Sequence, residues 1–101
     1  MTEPAFSVYL VRCRDGSIYT GIATDVARRV REHEGSARGA KFLRGKGPLI
    51  VVYQRKVGDR SVATRIERRI KRLPTHEKAD RATLSARVDE ALADLGAVST
   101  E

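Results

Sequence analysis

Apolar and polar positions change rhythm twice between Ser7 and His33. Two short apolar runs, V-Y-L-V and I-Y-T-G-I, flank the polar stretch R-C-R-D-G-S. Asp15-Gly16 is a turn signal between alternating apolar positions. The second run then passes into a helical pattern behind Thr24, a good N-cap, with Asp25 adding negative charge in the first turn. The pattern predicts strand, turn, strand, helix. On the first strand Val8 and Leu10 share one face, Tyr9 and Val11 the other. On the second, Ile18, Thr20 and Ile22 share a face, and Tyr19, Gly21 and Ala23 the opposite one. Burying Val8, Leu10, Ile18 and Ile22 together requires an odd number of loop residues, because a slip by one flips every side chain. A loop of three or five residues is therefore expected. It brings Tyr9 and Tyr19 onto the same face beside Gly21, where no side chain blocks an approaching ligand.

The first helix is predicted from Asp25 to about Glu34, with Val26, Ala27 and Val30 toward the sheet and Arg29 and His33 sharing another face. Gly35 stops it. Gly35 to Pro48 follows, a connection carrying glycines and four cations, Arg38, Lys41, Arg44 and Lys46, a composition that allows close backbone approach to phosphates. It is no nucleotide-binding P-loop, since Gly45-Lys46 is followed by Gly47 rather than Ser or Thr. Leu49 to Arg55 reads as a third strand, a buried run of L-I-V-V-Y. A second helix, capped by Asp59 or Ser61, carries the apolar stripe Val62, Ala63, Ile66, Ile70 and Leu73. Its other positions include Arg65, Glu67, Arg68, Arg69, Lys71 and Arg72, and Pro74 ends it. From Thr75 a capped, charged segment leads to a last amphipathic helix near Ser85 to Leu95. Leu84, Val88, Leu92 and Leu95 form its stripe and Gly96 terminates it; frayed residues follow.

Composition narrows the function. One hundred and one residues suit a single domain, with a core over about residues 6–73 and a C-terminal helical segment over 75–96. Twenty Lys and Arg against thirteen Asp and Glu give a net charge of +7, the electrostatic footprint of a polyanion binder. No segment joins a broad apolar face to a basic one, so no membrane partner is expected. Cys13 is the only cysteine, which excludes an internal disulfide and a Cys-rich zinc site and fits a reducing cytoplasm. No signal peptide is expected from M-T-E-P-A-F, and L-I-V-V-Y is too short to span a bilayer.

S-V-Y at Tyr9, Y-T-G at Tyr19 to Gly21 and the following R-R-V-R-E-H resemble the GIY-YIG nuclease domain. The run V-Y-L-V-R…Y-T-G-I-A-T-D-V-A-R-R…G-A-K-F-L-R-G-K-G-P-L is similar to the small stand-alone GIY-YIG proteins of bacteria. The resemblance covers about Phe6 to Leu73 and implies an α+β fold, a small three-stranded, mainly antiparallel sheet flanked by helices. It implies a metal-dependent endo- or exonuclease on DNA, with RNA open, in a setting such as DNA repair. Without an attached binding domain, backbone or structure recognition is expected over base readout. The alternative is a non-catalytic nucleic-acid-binding module, or a basic adaptor in a repair or ribosomal assembly.

Phosphodiester hydrolysis needs an activated water, charge stabilisation at phosphorus and help for the leaving oxygen. The resemblance makes Tyr9 and Tyr19 the groups that hold or deprotonate the water; cations must lower their pKa from about 10 for the second task. Arg29, at the family's catalytic arginine, would grip the scissile phosphate with its two-pronged guanidinium. His33 falls where relatives carry a histidine or tyrosine that contacts the phosphate. Glu67 becomes the sole protein ligand of one Mg²⁺ or Mn²⁺, completed by water and phosphate oxygens. Without the family, Glu67 is a surface partner for Lys71, four residues on. Gly21, Arg38, Lys41, Arg44, Lys46, Arg68 and Lys71 are the expected nucleic-acid contacts. The chain departs from the pattern in its S-V-Y tripeptide, in Ile22 where some members carry lysine, and in having no asparagine to support the glutamate helix.

Overall fold

The computed structural model describes residues 4–35 and 47–96. Strands β1 (Phe6–Arg12) and β2 (Ile18–Ala23) form a hairpin, and β3 (Ile50–Gly58) pairs with the other side of β1, so the antiparallel order is β2-β1-β3. The hairpin loop is the five residues Cys13 to Ser17, between the end of β1 and the start of β2. Asp15 Oδ1 accepts from Ser17 N at 3.0 Å and Ser17 Oγ at 2.6 Å, and Gly16 takes a left-handed φ of +88° that a side chain would strain. The odd loop fixes the register Tyr9↔Gly21, Val11↔Tyr19, Leu10↔Thr20. The two tyrosines therefore share a face, as the parity argument requires.

Each face of the sheet has its own apolar cluster. Val8, Leu10 and Tyr53 pack against Ile66 and Ile70 of α2 (Arg60–Lys71) and Leu84, Val88, Ala91 and Leu92 of α4 (Arg81–Asp94). Tyr9, Val11, Cys13 and Ala23 pack against Val26 and Val30 of α1 (Val26–Gly35) and Leu49. The sheet is thus a middle layer, with α1 on one side and α2 and α4 on the other. Arg55–Asp89 at 2.7 Å and Arg69–Asp94 at 2.8 Å tie α4 to β3 and to α2. A short helix, α3 (Thr75–Ala79), links α2 to α4. Among the described residues no helix is long and apolar enough to cross a membrane.

Several boundaries differ from expectation. Asp25, not Thr24, caps α1: its Oδ1 accepts from Arg28 N at 3.0 Å, and carboxylate suits the positive helix end. Ala27 faces solvent, because α1 seats only one narrow stripe on a three-stranded sheet. Asp59 rather than Ser61 caps α2, accepting from Val62 N at 2.9 Å. The last helix starts four residues earlier than Ser85, because Asp80 accepts from Thr83 N and Thr83 Oγ1. L-I-V-V-Y is not uniformly buried: Ile50 and Val51 are 50% and 38% exposed, because β3 is an edge strand with an irregularity opposite Leu10/Val11.

Candidate active site

The site grows from Tyr9 at the middle of the central strand. Tyr9 is 1% exposed and points to the α1 side. It pairs directly with Gly21, and a Cβ built on Gly21 would lie 2.6 Å from Tyr9 Oη and 2.7 Å from Cζ. The bare position is therefore filled by the Tyr9 ring. This corrects the expectation that Gly21 leaves room for a ligand: the close approach is made from inside the protein.

Above Tyr9, α1 delivers His33, only 4% exposed, whose Nε2 lies 2.8 Å from Tyr9 Oη. The imidazole also meets Tyr19 edge-on, with ring centroids 5.5 Å apart. The histidine expected to contact the phosphate is thus the buried link between the two tyrosines. Arg29, one turn earlier on α1, is half-buried; its Nη1 donates to Glu32 Oε1 at 2.8 Å and its charge acts on both tyrosines and on His33.

These neighbours set the protonation states. Burial pushes the Tyr9 phenol well above its ordinary value of 10; Tyr19 and Glu67 add to the rise, while Arg29, which also hydrogen-bonds it, pulls the other way. Desolvation outweighs Arg29, so the arginine by itself does not make Tyr9 a ready base; the expectation joined it to a bound metal. His33 moves down from 6.5, first through burial and then through Arg29, against an upward pull from Glu32. At neutral pH a protonated phenol therefore faces a neutral imidazole.

Glu67 comes from the other layer. Its side chain is 17% exposed and lies 3.4 Å from Lys71 Nζ, and its charge reaches Tyr9. Lys71 Nζ lies 6.0 Å from the Tyr19 ring centroid. Tyr19, on the edge strand β2, is thus touched by α1 from one side and α2 from the other. The site opens at that edge. Among the described residues no group of three or more His, Cys, Asp or Glu is arranged to hold a metal. A single half-buried carboxylate still fits one hard cation whose other ligands are water and phosphate oxygens, and excludes an all-protein cage.

Arg29 also lines a hollow with Phe6, Arg28, Glu32 and Arg60. Arg60 continues into a second hollow with Thr64, Arg65 and Arg68 on the outer face of α2. The expected contact Arg68 is exposed there, away from the tyrosines, and is joined to Arg29 through Arg60. Arg60 and Arg28 were not among the expected contacts; Arg28 stands next to Arg29 in the sequence, whereas Arg60 is a single cation opening α2 and carries no local signal. Arg38, Lys41, Arg44 and Lys46 lie outside the described residues.

Residues 5–80 match the GIY-YIG catalytic domain. The chain belongs to the GIY-YIG family. Among similar proteins, the UPF0213 protein YhbQ of Salmonella typhimurium is 55% identical over 71 residues, covering 70% of this chain and 70% of that protein. A UPF0213 protein of Citrobacter koseri is 48% identical over 88 residues, 87% of each chain. The solution NMR structure of the UPF0213 protein BH0048 from Bacillus halodurans aligns at 34% identity over 94% of this chain and 98% of that one, with a TM-score of 0.48. GIY-YIG domains are typically nuclease domains, and membership implies nucleic-acid binding. In this GIY-YIG chain Tyr9 and Tyr19, the two tyrosines expected at the site, both border the buried His33.

Proposed function

We propose that this GIY-YIG domain hydrolyses phosphodiester bonds in nucleic acid, DNA foremost, with one divalent cation, Mg²⁺ or Mn²⁺, and little sequence preference. The observation that carries the reading is the 2.8 Å Tyr9–His33 bond, with the charges of Tyr19, Arg29 and Glu67 all acting on Tyr9. Tyr9 keeps its proton, so it does not act as a phenolate. Instead, its hydroxyl oxygen takes a proton from the attacking water as its own proton passes to Nε2 of neutral His33. The hydroxide oxygen forms the new bond to phosphorus, the bond to the leaving oxygen breaks, and that oxygen gains a proton from solvent. The relay needs the tautomer with hydrogen on Nδ1. Arg29 grips two phosphate oxygens and stabilises the charge that grows on them. Tyr19 fixes the imidazole plane and borders the water. Glu67 would hold the cation, which supplies Lewis-acid neutralisation of phosphate charge when bound.

The test is cleavage of single-stranded, duplex and branched DNA, and of RNA, with Mg²⁺ or Mn²⁺, by the parent protein and by Tyr9→Phe. The parent should cleave at least one substrate and the variant should lose most of that rate while still binding. Binding without cleavage by the parent, under every metal, would replace this reading with a non-catalytic binding module.

A further inference from the structure

Beside the tyrosine cluster lies an open cavity of ≈ 400 Å³ lined by Ile18, Tyr19, Thr20, Lys71 and Lys78. It holds two ammonium groups from different helices, α2 and α3. Lys71 is balanced by Glu67 at 3.4 Å, whereas among the described residues no carboxylate pairs with Lys78. The second observation is Thr20, on the sheet face opposite the tyrosines. It is 2% exposed, lines this cavity, and its Oγ1 has no hydrogen-bond partner. A buried hydroxyl left unbonded is unfavourable, and an acceptor seated in the adjoining cavity would satisfy it. Lys78 carries the complementary signature: burial and the charge of Lys71 favour its losing a proton, a tendency that a bound anion would reverse.

We propose that Thr20, Lys71 and Lys78 form a second phosphoryl subsite, distinct from the one Arg29 serves, which holds another phosphate of the nucleic acid chain while the scissile one lies at Tyr9. Two ammonium donors and one hydroxyl donor suit the several acceptor oxygens of a phosphate. Tyr19 is the wall common to both sites, so the subsite sets how far along the strand the cut falls. The proposal rests on the nuclease reading for its purpose, though phosphate binding can be measured without any cleavage.

Inorganic phosphate titrated into the whole protein at constant ionic strength, followed by NMR, should give saturable shifts at Thr20, Lys71 and Lys78. These should vanish in Lys78→Met and weaken in Thr20→Val, which should fold as well as the parent because it discards a hydroxyl that bonds nothing. Absence of saturable shifts, or shifts unchanged in both variants, would overturn the proposal and leave water as the partner of Thr20. A second arm compares duplex oligonucleotides with and without a 5′-phosphate. Equal loss for both, roughly tenfold, with a salt slope shallower by about 0.9, identifies an internal strand phosphate. Loss confined to the phosphorylated strand identifies a terminal one. With an active parent, Lys78→Met should raise KM and leave kcat in place; a fall in kcat alone counts against a binding subsite. A parent that cleaves nothing but binds phosphate here sinks the nuclease reading and spares this one.

Discussion

Gly21→Ala tests the packing beneath the site most directly. The new methyl would be placed 2.6 Å from Tyr9 Oη, 2.7 Å from Cζ and 3.0 Å from Cε1. The ring cannot swing aside freely, since it is 1% exposed and tied to His33 at 2.8 Å. Overpacking of this kind costs about 1–3 kcal/mol. Losing the Tyr9–His33 bond adds about 1 kcal/mol. Restricting the unfolded chain returns about 0.4–1 kcal/mol. The net loss is roughly 1–3.5 kcal/mol, centred near 2, or about 8–16 °C in melting temperature at the centre of that range. Urea and thermal unfolding measure it, with Gly47→Ala as the control, because a Cβ there meets nothing within 4 Å. Cleavage should fall together with stability as Tyr9 is displaced. If Gly21→Ala unfolds like the parent yet binds DNA poorly, the reasoning is refuted and Gly21 does face the ligand.

Glu67→Gln should reduce metal-dependent cleavage by orders of magnitude and leave DNA affinity equal or higher, while the melting temperature barely moves, since a partly exposed pair four residues apart contributes only about 0.3–0.5 kcal/mol; unchanged cleavage would remove Glu67 from the metal. The pH profile should show activity and stability falling together on the acid side. His33 has a folded pKa below its unfolded 6.5, so the unfolded chain binds more protons between those values, and stability present above 6.5 is lost as pH drops through that window; replacing His33 by Gln should flatten both, as unfolding curves and rates across pH will tell. DNA affinity measured at several salt concentrations should follow a log–log slope near −0.9 for each phosphate neutralised on duplex DNA, and a flat response would dismiss the basic surface from Arg29 to Arg68 as the contact.

The hairpin was readable because alternation and parity leave one solution: once Val8, Leu10 and Ile22 must be buried together, Tyr9 and Tyr19 have to emerge together. The helix stripes of α2 were readable for the same reason, since Ala63, Ile66 and Ile70 recur at helical spacing. The start of α4 was missed because its signal is polar, the pairing of Asp80 with Thr83, and it precedes the apolar stripe by a turn. The resemblance placed His33 in the site as a phosphate contact, but its bond to Tyr9 was not readable, because that partner is twenty-four positions away and nothing local announces a buried imidazole. The pKa of Tyr9 likewise depends on burial between layers, a tertiary quantity. Lys78 escaped notice because a five-residue helix has no periodicity to mark its inner face.

The irregular pairing of β3 also bears on how copies of the molecule meet. A three-stranded sheet ends in two edges, and the β3 edge exposes Ile50 and Val51. Left flat, it would offer a template for adding strands from other copies. The register shift opposite Leu10/Val11 breaks the row of amide donors and acceptors and twists the strand, and Lys56 places positive charge just beyond it. Two such edges brought together would oppose like charges across a mismatched ladder. The bulge thus works against fibre-like association, a hazard for any strongly basic protein that gathers at high local density along a polyanion.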